Sequence, residues 1–157
     1  MNQLKDILFG VRLEAIQGNT NVLISSVAFD SRKAQEGGLF VAIKGEVVDG
    51  HDYIEKAIAL GSIAIVCEKK PPQASEKVVW ITTANSREAL AILAANFYDR
   101  PSAKLKLIGV TGTNGKTTVT TLLHRLFTKA GYAAGLISTI AIKYNLEEIP
   151  ATHTTPD

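Results

Sequence analysis

With one cysteine, Cys67, the chain has no means of forming an internal disulfide or a cysteine metal cluster, which fits a reducing compartment. No apolar run approaches the roughly 20 residues needed to span a bilayer, so no membrane partner is expected. The opening MNQLKDILFG has neither the basic start nor the long apolar core of a secretion signal, and the expected compartment is the cytoplasm. Charge of one sign is scarce too. Against 15 Asp and Glu stand 17 Lys and Arg, a net charge of +2, and the basic residues are scattered rather than gathered into a stripe, so no nucleic acid partner is expected. Repeats and low-complexity tracts are also missing. What is there, 46% hydrophobic and 20% charged residues over 157 positions, is a globular composition with room for one ordinary domain or two small ones.

The fold class read from the pattern is α/β. VLISSVAFDSR, GGLFVAIKG, SIAIVCEKK and KVVWIT are β-branched or apolar runs bounded by Gly, Asp, Lys or Pro, as strands of a covered sheet are. Between them GHDYIEKAIALG sets Ile54, Ala57 and Ile58 on one helical face and ends at Gly61, a C-cap residue. After Ile81, TTANS offers N-caps to REALAILAANFYDR, whose Leu90, Leu93, Ala94 and Phe97 form a stripe that Pro101 terminates. KLKLIGV then reads as a buried strand entering a glycine loop. The following helix places Val119, Leu122, Leu123, Leu126, Phe127 and Ala130 on one face before Gly131. AAGLIST reads as a further strand and IAIKYNLEEIP as an edge segment. The predicted boundary separates a small α/β domain over 1–84 from the start of a second domain over 85–157.

GVTGTNGKTT, residues 109–118, is where chemistry concentrates. Gly112 and Gly115 let backbone approach a phosphate with no Cβ in the way, and the first amides of the next helix point outward at its positive dipole end. Lys116 supplies a mobile positive charge for β- and γ-phosphates, Thr117 a hydroxyl for Mg²⁺, and Thr118 supports the same loop. Thr113 and Asn114 complete it. A common phosphate-loop pattern places Gly five positions before the Gly-Lys pair; here position 110 is Val, so the reading rests on the compact TGTNGKTT form between a strand and a helix. The bland alternative is a glycine-rich turn that caps a core helix.

At this loop the sequence resembles the Mur ligases, the ATP-dependent amide-forming enzymes of bacterial cell-wall synthesis. DSRKAQEGGLFVAIKGEVVDGHDYIEKAIALGSIAIV is similar to the uridine-nucleotide domain of the branch that adds the third or the last amino-acid component, and the closing THTTPD is similar to a segment of the third-residue branch that contacts substrate. The resemblance implies a small N-terminal α/β uridine-nucleotide-binding domain followed by the truncated start of a P-loop ATPase domain. It implies that Gly112, Thr113, Asn114, Gly115, Lys116, Thr117 and Thr118 hold ATP, with Thr117 on Mg²⁺ and Lys116 catalytic. Phe29, Ser31 and the loop Glu46, Val47 and Val48 would bind the UDP-sugar end of UDP-N-acetylmuramoyl-L-alanyl-D-glutamate, and His153, Thr154 and Thr155 would lie along its peptide.

The implied reaction phosphorylates a terminal carboxylate and lets an amine displace phosphate. Only about 40 residues follow Lys116, far short of a typical domain, so the expectation is an N-terminal piece of a longer ligase, inactive alone. Apolar surface exposed by truncation would favour self-association, with residues after about 100 mobile or buried in an oligomer contact. The alternatives are the ligase adding D-alanyl-D-alanine and a noncatalytic nucleotide-binding module. A small GTPase is disfavoured because no asparagine-lysine-x-aspartate segment follows Lys116. Bland readings suit the rest: His51 as a helix starter, Cys67 as a core thiol, His124 as a solvated residue and Lys69–Pro72 as an exposed turn.

Overall fold

Alternation in LFV, AIVC and VWIT builds the centre of the first unit, because a strand covered on both faces sends successive side chains to opposite layers. The computed structural model describes residues 2–45, 48–72, 74–144 and 147–151. It divides into two units, Met1–Leu105 and Lys106–Asp157. In chain order the first holds β1 (Asn2–Gln3), α1 (Leu4–Ile7), β2 (Ala15–Gln17), β3 (Leu23–Ile24), β4 (Val27–Ala28), β5 (Leu39–Val41), α2 (Ile54–Ala59), β6 (Ala64–Cys67), β7 (Val79–Thr82) and α3 (Ser86–Phe97).

Five of these strands form a sheet in the order β2-β7-β6-β5-β4, with β4 to β7 parallel and β2 antiparallel to β7 at the edge. The register aligns Phe40 with Ile65 and Ile65 with Trp80, and on the other face Val41 with Val66 and Val66 with Ile81. Phe40, Ile65 and Trp80 pack with Ile54 and Ala57 of α2, whereas Leu39, Val41, Val66 and Ile81 pack with Leu4 and Ile7 of α1 and Ala89 and Leu93 of α3. Each fully buried large side chain contributes about 1.5–3 kcal/mol of transfer free energy. Both layers follow directly from the period-two pattern.

The helix starting near Gly50 begins as a 3-10 turn, Gly50–Tyr53, before α2. Gly61 ends it with φ +98, and a Cβ there would lie 2.8 Å from the Glu36 backbone. α3 is capped as expected, the Asn85 side chain accepting from the Glu88 N–H at 3.0 Å. It ends at Phe97, and the chain then turns through Asp99 and Arg100, both left-handed at φ 59 and φ 48, ahead of Pro101, which disfavours right-handed helix in the residue before it.

The predicted boundary after residue 84 differs from the observed division after Leu105. α3 belongs to the first unit because it supplies part of one core layer, and because Asn96 donates to the carbonyls of Ile7 and Phe9 at 2.9 and 2.7 Å. The segments β1, α1 and β2 carried no clear periodicity; they are too short to show one.

The second unit holds α4 (Lys116–Lys129), β8 (Gly135–Ile137), β9 (Ala141–Tyr144) and β10 (Glu147–Pro150), the three strands forming an antiparallel meander. The single edge segment expected over IAIKYNLEEIP is a pair of strands, β9 and β10. KLKLIGV is not a buried strand: residues 106–110 pair with no strand among the described residues, and Leu107 is 89% exposed. A parallel strand exists only against neighbours. Val119, Leu122 and Leu126 of the α4 stripe are likewise exposed. His124 is half-buried rather than solvated, its Nε2 lying 3.2 Å from the Ala134 carbonyl oxygen.

Candidate functional site

Ligands of open α/β sheets sit beyond the carboxyl ends of the parallel strands. Four segments of the first unit leave that edge: Phe29–Ser31 after β4, residues 42–45 and 48–50 after β5, Glu68 after β6 and Thr83–Ser86 after β7. Three expected substrate residues, Phe29, Ser31 and Val48, therefore lie at one edge of one sheet. Glu46, Val47, His153, Thr154 and Thr155 lie outside the described residues.

Ser31 opens a 3-10 turn, Ser31–Lys33, whose N-cap is Asp30. The Asp30 carboxylate accepts from the Arg32 amide at 2.9 Å and from Arg32 Nε and Nη2 at 3.0 and 2.7 Å. Those Arg32 side-chain bonds first, and its backbone N–H second, hold the Asp30 carboxyl down at about 2. The clamp fixes the turn that carries Ser31, which is only 7% exposed beside the 41% exposed Phe29.

The segment after β5 is closed by backbone. Lys44 bridges Asp49, Gly45 N–H donates to the Val48 carbonyl at 2.9 Å, and Gly50 N–H donates to the Ile43 carbonyl at 2.9 Å. Glycine is needed at 50, where a Cβ would lie 2.7 Å from the Ile43 nitrogen. Beneath this loop runs a polar network that the sequence reading missed. Asp49 Oδ1 accepts from the His51 amide at 2.9 Å and lies 2.6 Å from His51 Nδ1, while Glu68 N–H donates to His51 Nε2 at 3.0 Å. The Glu68 carboxylate accepts from Ser86 N–H and Oγ–H, each at 3.0 Å. The Ser86 amide first, with help from its hydroxyl, lowers the Glu68 pKa; the His51 amide and then its ring do the same for Asp49. The signal available in sequence was an acid directly after the apolar run AIVC together with DGH.

In the second unit Gly115, at φ +77, is the N-cap of α4, and Gly112 has φ +148. No heavy atom lies within 4 Å of a Cβ built at Gly115, and at Gly112 the nearest, Asn114 O, is 3.7 Å away, so the loop face is open. Lys116 Nζ donates back to the Gly112 and Thr113 carbonyls at 2.6 and 3.3 Å, and Thr113, Asn114 and Thr118 are exposed with Thr117 half-buried. A left-handed glycine at a helix N-terminus, free amides and a folded-back ammonium are the donor set a polyphosphate requires. The fit to Mg²⁺ is partial. Thr117 offers one hydroxyl, and no group of three or more His, Cys, Asp or Glu able to hold a metal exists among the described residues.

Cys67 is fully buried, and desolvation raises its thiol to about 11. No helix among the described residues is long and apolar enough to cross a membrane.

Residues 23–98 match the family described as Mur ligase family, catalytic domain, and residues 110–157 the Mur ligase middle domain. The UDP-N-acetylmuramoyl-L-alanyl-D-glutamate–2,6-diaminopimelate ligase of Cytophaga hutchinsonii is 47% identical over 156 residues, covering 99% of this chain and 32% of that protein. A similarly named ligase of Parabacteroides distasonis is 44% identical, again over 99% of this chain and 32% of the relative. The chain thus spans about a third of the length of these curated relatives. Among solved structures, MurF from Acinetobacter baumannii is similar at TM-score 0.54 and 32% identity, over 68% of this chain and 22% of that one. MurF ligase from Thermotoga maritima in complex with ADP is similar at TM-score 0.51 and 32% identity, over 66% and 23%.

Proposed function

Since the chain belongs to the Mur ligase family, we propose that it is the N-terminal part of an ATP-dependent ligase that adds diaminopimelate to UDP-N-acetylmuramoyl-L-alanyl-D-glutamate in peptidoglycan synthesis. The observation that carries this reading is the glycine loop, where Gly112, Gly115 and Lys116 present a phosphate-binding donor set at the start of α4. The names of relatives 44–47% identical over 99% of the chain support diaminopimelate as the amine. Lysine as the amine and the ligase that adds D-alanyl-D-alanine remain the competing substrate classes. The solved MurF structures favour the latter only at 31–32% identity and over about two thirds of the chain.

In the complete ligase a substrate carboxylate oxygen attacks the γ-phosphorus of ATP and ADP leaves. The amine nitrogen then attacks the acyl carbon, phosphate departs, and the amine loses its proton. Within this chain, Lys116 exchanges its two loop carbonyls for the β- and γ-phosphate oxygens and offsets charge that grows during transfer. The loop amides from Gly112 to Gly115, with Thr113 and Asn114 between them, wrap the phosphates, and Thr118 steadies the first turn. Mg²⁺ held by Thr117 and phosphate oxygens would neutralise further charge. Ser31, Phe29 and Val48 at the sheet edge, together with Glu46 and Val47, hold the uridine diphosphate end in this reading, while His153, Thr154 and Thr155 lie along the muramoyl peptide. Ligand binding without turnover is the behaviour proposed for the isolated chain, which spans about a third of the length of the ligases it matches. A cytoplasmic location suits these substrates.

Calorimetric titration with UDP-N-acetylmuramoyl-L-alanyl-D-glutamate and, separately, Mg-ATP tests this. Saturable binding of the UDP compound that Ser31→Ala weakens, and any Mg-ATP binding abolished by Lys116→Ala, are expected. Neither ligand binding to a folded chain would refute the assignment.

A further inference from the structure

We infer that His51 is a positioning residue of the sheet-edge site, a neutral imidazole that braces the Lys44–Asp49 loop against the end of β6. A backbone N–H can only donate, so the Glu68 amide 3.0 Å from Nε2 makes that nitrogen an acceptor and assigns the ring proton to Nδ1, which faces Asp49 Oδ1 at 2.6 Å. Asp49 is the residue whose backbone closes the loop on Lys44. The ring, its side chain 18% exposed, therefore ties the loop stem to the strand end next to it.

The tie continues past β6. Glu68 hands it through its carboxylate to Ser86 in the first turn of α3, and Arg87 Nη2 reaches the Lys44 carbonyl oxygen at 3.5 Å from the same helix. Three of the four connections leaving the carboxyl edge are thus held in register by one ring and one carboxylate. A helix-starting role would need only the Asp49 side chain and the His51 backbone amide, which already make the N-cap. The imidazole contributes something else, a fixed distance between the loop and β6.

This inference rests on the reading of Phe29, Ser31 and Val48 as part of a uridine-nucleotide site. The 157-residue chain would be titrated with UDP-N-acetylmuramoyl-L-alanyl-D-glutamate as wild type, His51→Ala, His51→Gln and Ser31→Ala, with amide exchange of each ligand-free protein recorded alongside. His51→Ala removes one acceptor and one donor and is expected to weaken binding about tenfold. His51→Gln keeps an acceptor for Glu68 N–H and should restore affinity to within about threefold of wild type. In His51→Ala, exchange should quicken at the amides of Glu68, Gly45 and Gly50 and stay unchanged through β7.

If Ser31→Ala weakens binding while His51→Ala binds as wild type, the brace is overturned and the substrate reading stands. Faster exchange throughout β5 to β7 in His51→Ala would make the residue a core element and would also overturn it. A folded wild-type chain that binds no UDP compound removes the reading itself, and the role of His51 with it.

Discussion

Glu68→Ala tests how the sheet edge is held together. It deletes the acceptor of two hydrogen bonds, both 3.0 Å, from the N–H and Oγ–H of Ser86, a residue 0% exposed. Water has no ready access to replace them, so the loss is set by stranded polar groups, about 1–3 kcal/mol for each. Partial relaxation of the first turn of α3 puts the sum at about 2–3 kcal/mol. Urea denaturation followed by tryptophan fluorescence suits the measurement, because Trp80 is the sole tryptophan, is 1% exposed and lies in β7 of the first unit. With a slope of about 1–3 kcal/mol per molar, the midpoint should fall by roughly 1 M or more.

Glu68→Gln keeps an oxygen acceptor and loses the charge facing a helix N-terminus, so it should cost less, about 1 kcal/mol. The pKa of Glu68 is lowered on folding, so its contribution is fully present above the unfolded carboxylate range and is lost as pH falls through the lowered folded value. Acid sensitivity in that window should shrink in Glu68→Gln. A Glu68→Ala midpoint within about 0.2 M of wild type, or an unchanged acid profile in Glu68→Gln, would refute the reasoning.

Gly50→Ala would place a Cβ 2.7 Å from the Ile43 nitrogen and 2.8 Å from its oxygen; a cost of about 1–3 kcal/mol should appear in the same denaturation assay, with weakened binding of the UDP compound. Phe40→Ala, at a fully buried position, should cost about 3–5 kcal/mol and show as a lower thermal midpoint. Cys67, buried and pushed up to about 11, should resist a thiol-specific reagent at pH 8 in the folded protein and react fully in denaturant; prompt reaction in the native state would contradict its burial.

The first unit was legible in the sequence wherever an apolar run was bounded by turn residues. Residues 39–41, 64–67 and 79–82 are unbroken apolar or β-branched runs buried almost throughout, as a sheet covered on both faces requires, and Asn85 and Gly61 punctuate the helices where caps were expected. Phe29, Ser31 and Val48 lie at one edge of the sheet because each follows a parallel strand or lies in the connection after it. Residues 104–110 misled, since an apolar run reports a preference for burial and cannot report whether neighbouring strands exist to satisfy it. The domain boundary misled for a related reason: α3 has one apolar stripe, and nothing in the stripe says which sheet it covers. His51 was legible as a turn residue only. Its second partner, the Glu68 amide, is a backbone group 17 residues away, and backbone groups leave no mark in a sequence.

The in-register row Phe40–Ile65–Trp80 and the row Val41–Val66–Ile81 lie on opposite faces of one sheet. Neighbours in the chain are therefore strangers in the core. Truncations at Phe40 and Trp80, which share a layer, should be epistatic, whereas truncations at the consecutive pair Phe40 and Val41, which share no packing partner, should combine almost independently. Sequence variation in this domain is then partitioned by layer, and a compensating substitution is to be sought across the strands on the same face rather than at the adjoining position.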